Sequence, residues 1–148
     1  MTFALDIKDF AEKTGQNIQD VKAIVALDMF GKVVMATPVG NPILWETPRA
    51  PAGYVGGRLR GNWQASRNTP IKTTTSRIDA SGEETIKSIS TTVEKATGDD
   101  SIFISNNLPY AVRVEYGHSK KQRPQGMVRV TLLAFQTAID EAIRSVVK

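Results

Sequence analysis

The sequence predicts an α+β domain with N-terminal helices, a small antiparallel sheet and a long C-terminal amphipathic helix. Apolar residues recur at spacings of three and four near both ends of the chain, as they do on the buried face of a helix. Between these regions, a short β-branched run and many prolines and glycines indicate strands and loops. At 148 residues, 41% of them hydrophobic and 23% charged, the chain is expected to form a single domain over residues 1–148.

Two helices are predicted at the N-terminal end. Residues 5 to 14 form the first, and Gly15 is expected to end it because glycine suits the positive φ of a helix end. Apolar residues from Ile18 onward predict a second helix of about five turns. This helix is expected to end at Thr37, because a residue that precedes proline disfavours helical geometry.

The segment from 38 to 57 is predicted to be an extended loop. It contains eight residues that interrupt regular structure, namely Pro38, Gly40, Pro42, Pro48, Pro51, Gly53, Gly56 and Gly57. It also carries large apolar side chains that are costly to leave in water, namely Ile43, Leu44, Trp45 and Tyr54. We therefore expect this loop to lie on a partner subunit.

The middle of the chain is predicted to contain the sheet. Leu59 and Trp63 lie four residues apart, as on a helical turn, and the alternation that continues to Arg67 then indicates a strand. Acidic residues after Ser81 suit the first turn of a helix over 82–96. The run from 101 to 105 is rich in β-branched residues and predicts a second strand.

The last third of the sequence contains one ambiguous segment and one clear helix. Residues 109 to 116 fit either a helix that starts at a proline or an alternating strand. Residues 117 to 126 form a polar, basic loop. The final segment carries the strongest helical stripe, composed of Val128, Leu132, Phe135, Ile139, Ala142 or Ile143, and Val146. We expect Leu132, Phe135 and Ile139 to pack into the core.

Residues suited to catalysis or metal binding are few. The chain has no cysteine and a single histidine, His118, which excludes thiolate chemistry and a multi-histidine metal site. The glycine-rich stretch 56–61 lacks the endings of phosphate-binding loops. No catalytic, cofactor-binding or metal-binding residue is predicted, and we expect no enzyme activity. The N-terminal residues do not resemble a signal peptide, and no apolar run reaches the ~20 residues of a membrane span.

The basic residues leave two interpretations open. The net charge is +4, and basic side chains gather at Arg58, Arg60 and Arg67 and again at Lys120, Lys121 and Arg123. Such clusters can hold phosphates. They can equally pair with acids on a neighbouring copy or remain solvated.

Three segments resemble one family when they are taken in order. Residues 57–64 read GRLRGNWQ, residues 107–119 read NLPYAVRVEYGHS, and residues 124–129 read PQGMVR. Together with the amphipathic helix, they are similar to the neck, minor tail and tail-completion proteins of tailed bacteriophages, over nearly the whole chain. The resemblance implies a structural virion protein without a cofactor. It implies a homo-oligomeric, hexameric ring at the neck or tail end that contacts neck and tail-tube proteins and joins the tail to the head.

A ring places two demands on the surface of its subunit. Copies that meet head to tail need two unlike surfaces, for which the 38–57 loop and the basic loop are the candidates. Ile43, Leu44, Trp45, Tyr54, Arg58 and Arg60 are therefore the predicted interface residues. Lys120, Lys121 and Arg123 are the predicted contacts to a partner or to DNA that passes through the lumen. The alternative function is a small basic nucleic-acid-binding module.

Overall fold

The computed structural model describes residues 3–44, 50–117 and 125–147, with side chains described from Gly15 onward except that of Leu44. These residues form six α-helices, one 3₁₀ turn at Pro42–Leu44 and a two-stranded antiparallel sheet, so the predicted α+β class is confirmed. In chain order the elements are α1 (Phe3–Ala36), α2 (Arg58–Gly61), β1 (Gln64–Arg67), α3 (Glu83–Glu94), β2 (Ile102–Ser105), α4 (Ala111–Glu115), α5 (Val128–Leu132) and α6 (Phe135–Val146).

Helix α1 is continuous, so the predicted break at Gly15 is wrong. Glycine in a helix interior costs about 1 kcal/mol relative to alanine. The hydrogen-bonded turns on either side of Gly15 offset this cost. The predicted end of the helix is correct: α1 stops at Ala36, and the hydroxyl of the buried Thr37 donates to the carbonyl of Val33 at 2.8 Å. Trp63 Nε1 in turn donates to Thr37 Oγ1 at 2.7 Å, which joins the end of α1 to the start of the sheet.

The sheet lies in the middle of the chain, as predicted. Strand β1 pairs with β2 from Gln64 opposite Ser105 to Arg67 opposite Ile102. Helix α3 packs against β1 and α1. The core lies between these elements and contains Val33, Val34, Leu59, Trp63, Ile89, Val93, Leu108, Ala111 and Met127.

The ambiguous segment 109–116 forms a short helix. Tyr116 N donates to the carbonyl of Val112, and Val114 N donates to that of Tyr110, which is helical bonding. Ala111 is buried in the core whereas Val112 and Tyr116 are exposed. The alternating pattern therefore does not separate a buried face from an exposed one.

The C-terminal stripe is divided between two helices. Helix α5 ends at Leu132, a turn follows, and α6 begins at Phe135. The buried residues of α6 are Ala138 and Ala142, whereas Leu132 is 57% exposed and Phe135 46% exposed. The expected burial of Leu132 and Phe135 in the core is thus wrong, and Ile139 is half-buried outside the core cluster. Helix α1 packs against α6, whose buried face consists of small alanines, and the bulky residues line the open side of this contact.

Candidate functional site

The guanidinium group of Arg60 donates hydrogen bonds to backbone carbonyls of its own chain. Its Nη2 and Nε atoms donate to the carbonyl of Thr37 at 2.8 and 3.1 Å, and Nη1 donates to that of Ala80. A further bond reaches the carbonyl of Met35 at 3.3 Å. The guanidinium thereby satisfies carbonyls at the end of α1 and ties them to the segment before α3. The side chain predicted for the subunit interface thus has extensive bonding inside the subunit.

The glycines of the first motif allow two backbone segments to approach each other. Gly57 has a φ of 110°, and a Cβ atom there would lie 2.5 Å from Ala80 N. A Cβ atom on Gly61 would lie 2.6 Å from the carbonyl oxygen of Arg77. Neither site can hold a larger residue without moving the 77–80 segment. The glycines of this motif therefore serve packing.

Three asparagines in or beside the first two motifs bind backbone groups of their own chain. Asn62 is fully buried, donates to the carbonyl of Arg58 and accepts a bond from Thr75 N, both at 2.9 Å. Asn106, next to the second motif, donates to the carbonyl of Leu59 at 2.8 Å, and Asn107 donates to that of Ile71 at 2.9 Å. Sequence reasoning missed these bonds. The only available signal was the adjacent Asn106 and Asn107 at the end of the predicted strand.

Asp79 caps α3 from a buried position. Its carboxylate accepts bonds from Gly82 N at 2.9 Å, from Thr85 N at 2.8 Å and from Thr85 Oγ1 at 2.7 Å. Burial raises the pKa of Asp79, but the hydrogen bonds from Thr85, Gly82 and Ser81 outweigh it, and the pKa lies below its ordinary value. The acids expected in the first turn, Glu83 and Glu84, are exposed. The capping residue lies four positions before the helix, where no simple pattern marks it.

Glu115 performs the same task for α5. Its carboxylate accepts bonds from the backbone N–H groups of Met127, Val128 and Arg129 at 2.7, 2.9 and 2.9 Å. Arg129 Nε lies 3.3 Å from the same carboxylate, and the Arg129 guanidinium lies 4.8 Å from the centre of the Tyr116 ring. Burial raises the pKa of Glu115, but the hydrogen bonds from these residues lower it overall.

The bonds of Glu115 hold the two ends of the basic loop together. One end begins at Tyr116 and the other ends at Gly126, where a Cβ atom would lie 2.6 Å from the carbonyl oxygen of Glu115. The predicted contact residues Lys120, Lys121 and Arg123 lie outside the described residues, as does His118. The second and third motifs thus meet at the base of this loop.

One exposed surface, which we term the loop face, is composed of Tyr54, Arg58 and Tyr110. Val55 and Val112, which are close to these residues in sequence, are exposed as well. Burial raises the pKa of Tyr110, the charge of Arg58 opposes this effect, and Tyr54 adds to it, so these three side chains lie near one another. Of the predicted interface residues, Tyr54 and Arg58 belong to the loop face. Ile43 is 88% exposed on the 3₁₀ turn, whereas Trp45 and the side chain of Leu44 lie outside the description.

A second exposed surface, which we term the apolar groove, lies between α1 and the C-terminal helices. It has a volume of about 490 Å³, and its walls include Ile18, Val21 and Val25 of α1 and Leu132, Phe135 and Ile139 opposite them. Among the described residues that line the groove, Lys22 is the one with a charged side chain. Its ammonium group donates to the carbonyls of Gly98 and Asp100. Sequence reasoning identified the stripe but assigned it to the core.

The described residues include no cluster of histidine, cysteine, aspartate or glutamate that could hold a metal ion. No helix in the same ranges is both long enough and apolar enough to cross a membrane. Comparisons with models of known protein families, with curated proteins and with solved structures found no match.

Proposed function

We propose that the protein is a structural subunit that forms a homo-oligomeric ring at the neck or tail end of a tailed-phage virion. The ring completes the tail and joins it to the head. The proposal starts from the resemblance carried by residues 57–64, 107–119 and 124–129. The packing of these segments adds physical support.

The observation that carries the proposal is the contrast between the polar residues of the motifs, which bond within the chain, and two apolar surfaces that remain exposed. Asn62, Arg60 and Glu115 bind backbone groups of their own chain, as a structural scaffold requires. Large apolar side chains instead remain exposed in two separate places, the loop face and the apolar groove. A subunit in a stack of rings needs two kinds of contact, one with its ring neighbours and one with the next ring. Two separate apolar surfaces suit these two contacts.

The basic loop suits the lumen of such a ring. The net charge of +4 per copy gives a weak attraction for phosphates that does not depend on base sequence. Weak binding is favourable where DNA must pass, because a tight contact would hold the DNA in place. We assign this role to Lys120, Lys121 and Arg123.

The test combines the mass of the purified protein with its position in virions. Light scattering should give a mass several times 16.2 kDa, independent of added DNA. Antibody labelling and imaging of intact particles should locate the protein at the neck or tail end. Absence of the protein from purified particles would disprove the proposal.

The alternative, a small basic nucleic-acid-binding module, predicts a different pair of results. Such a module would be a monomer or dimer whose affinity for DNA falls steeply with salt. Replacing Lys120, Lys121 and Arg123 together with glutamine should then abolish DNA binding. In the ring proposal the same variant still assembles.

A further inference from the structure

We propose that the exposed side of α4 and the start of α5 bind the phosphodiester backbone of nucleic acid. The surface consists of Arg113, Tyr116 and Arg129, and we term it the arginine strip. Its place in the lumen rests on the proposed ring, where it adds further residues to the contact with passing DNA. The contact with phosphate itself can be tested without the ring.

The three side chains of the arginine strip lie together on the surface. Arg113 and Tyr116 are three positions apart along α4, so they lie on the same side of this helix. The Arg129 guanidinium lies 4.8 Å from the centre of the Tyr116 ring. All three residues are exposed, Tyr116 to 71%. A ligand at this surface can therefore contact two guanidinium groups and a phenol hydroxyl at once.

The charge around the strip is complementary to phosphate. Glu115 is the only acidic residue from Asn106 to Gly117 and from Gln125 to Ala134. Its side chain is only 14% exposed, and its carboxylate is bound by three backbone N–H groups and by Arg129. Arg58, which is exposed near the N-terminal end of α4, adds a third positive charge. These segments therefore present positive charge to solvent with their one carboxylate turned inward.

The two arginines of the strip differ in how they are bonded. The Arg129 guanidinium donates to the carboxylate and to the backbone carbonyl of Glu115, which holds it in place while its side chain stays 48% exposed. Arg113 has no hydrogen bond or ion pair with any residue that the structure describes. Its guanidinium can therefore bind a phosphate oxygen without breaking a bond of the fold. The strip thus offers one positioned donor and one adaptable donor.

The chemistry of the strip favours nucleic acid over a protein partner. Protein interfaces are apolar at their centre and place charged residues at the rim. All three side chains of the strip instead end in hydrogen-bond donors, and arginine and tyrosine side chains are common donors to phosphate oxygens. Interfaces with nucleic acid are also more polar and more positively charged than interfaces between proteins.

Fluorescence anisotropy with a labelled DNA duplex of mixed sequence tests the inference between about 50 and 200 mM salt. Each phosphate contact contributes about −0.9 to the slope of log affinity against log salt concentration. Arg113→Gln combined with Arg129→Gln should therefore reduce the slope by about 2 and weaken binding about tenfold or more at ~100 mM salt. A single strand of the same length, measured alongside, shows whether the phosphates of a duplex or of a single strand are preferred.

The matched control combines Lys87→Gln with Arg144→Gln. It removes two exposed positive charges outside the strip, so the net charge falls by the same amount. Its salt slope should equal that of the wild type. Arg113→Gln alone keeps the test valid if the loss of Arg129 lowers stability, because Arg113 has no bond to lose. This variant should keep the circular dichroism of the wild type and reduce the slope by about 1.

The outcomes separate this inference from the proposed function. A folded wild type that does not bind DNA, or equal slopes for the strip variant and the control, overturns the inference and leaves the ring standing. Polyglutamate that displaces the labelled DNA as effectively as unlabelled duplex overturns the assignment to phosphate in favour of an acidic protein. A wild type that binds DNA through the strip but stays monomeric in light scattering overturns the ring and supports the strip.

Discussion

Arg60 and Glu115 stabilise the fold in complementary ways. Arg60 binds the carbonyls that α1 leaves unpaired at its end, and Glu115 binds the N–H groups that α5 leaves unpaired at its start. Each charge thus lies where the helix dipole favours it. Both residues connect segments that are distant in sequence, so each of them constrains the tertiary fold as well as one helix.

Replacing Arg60 with alanine should lower the free energy of unfolding by about 2–3 kcal/mol, because hydrogen bonds to a charged group are lost and the carbonyl of the buried Thr37 loses its donors. Arg58→Ala is the matched control, because Arg58 is exposed two residues away. It should change the free energy by no more than about 0.5 kcal/mol. Urea unfolding measures both values. Equal losses would show that Arg60 contributes only a surface charge.

The pKa of Glu115 predicts how stability depends on pH. Its folded pKa lies below the ordinary value of 4.5, so its stabilisation is fully present above that pH. The stabilisation is lost as pH falls through the folded pKa, because protonation removes the charge that the N–H groups bind. Glu115→Gln should therefore be less stable than the wild type at about pH 7, and the difference should shrink as the pH falls below 4.5.

Unfolding midpoints in urea, measured across this pH range, check the prediction for Glu115. The control is Glu141→Gln, which removes an exposed carboxylate on α6. Its difference from the wild type should stay small at every pH. A constant difference for Glu115→Gln would contradict the role assigned to its charge. Asp100 also titrates below its ordinary range, because bonds from Thr97 and Asn68 lower its pKa to about 2.

At the scale of elements, α1 is the clearest test of sequence reasoning. Gly15 adopts helical geometry, and a Cβ atom there would meet nothing within 4 Å. Gly15→Ala should therefore raise the free energy of unfolding by about 0.5–1 kcal/mol, because alanine is the better helix former. Gly57→Ala, at a φ of 110°, should lower it by about 1–3 kcal/mol. Thermal melting distinguishes these opposite signs. A lower stability of Gly15→Ala would contradict the continuous α1 and would support the helix end that the sequence predicts at Gly15.

Elements with their own periodicity could be predicted from the sequence. Helix α3, strand β2 and the end of α1 at Thr37 all carry local signals and are found near the predicted positions. The burial of α6 could not be predicted, because the helical stripe shows which residues are apolar but not which of them the neighbouring helix covers. Ala138 and Ala142 allow the close approach of α1, and this depends on packing between the two ends of the chain.

The candidate surfaces were predicted only in part. The exposure of Ile43 and Tyr54 follows from a loop rich in proline and glycine. The hydrogen bonds of Arg60 could not be predicted in this way, because the carbonyls that it binds belong to residues 23 and 20 positions away. Long-range pairing of this kind leaves no local pattern in a sequence.

At the scale of the whole molecule, the domain should fold without most of the 38–57 loop. Tyr54 packs on Gly40, and a Cβ atom on Gly56 would also contact the Gly40 carbonyl, so the two ends of the loop lie together. Deleting residues 43–52 should therefore leave a folded subunit with a similar melting temperature. We expect the variant to fail to join heads to tails, because it lacks apolar residues that we assign to contacts with a neighbour.

Thermal melting and particle imaging test the deletion together. Infectious particles made with the shortened chain would show that the loop is not required for assembly. A chain that cannot fold would show instead that the loop belongs to the core.

The contact between α1 and α6 has a consequence for biosynthesis. Helix α1 is translated early, but its partner α6 follows roughly 100 residues later, a delay of about 5–20 s at ~5–20 residues per second. During this interval the part of α1 that packs on α6 lacks its partner, although the helix itself can form in microseconds. Neighbouring nascent chains on one polysome therefore expose the same apolar helix surface and can associate with each other. We expect slower translation or a lower growth temperature to change the yield of native protein more than its final stability.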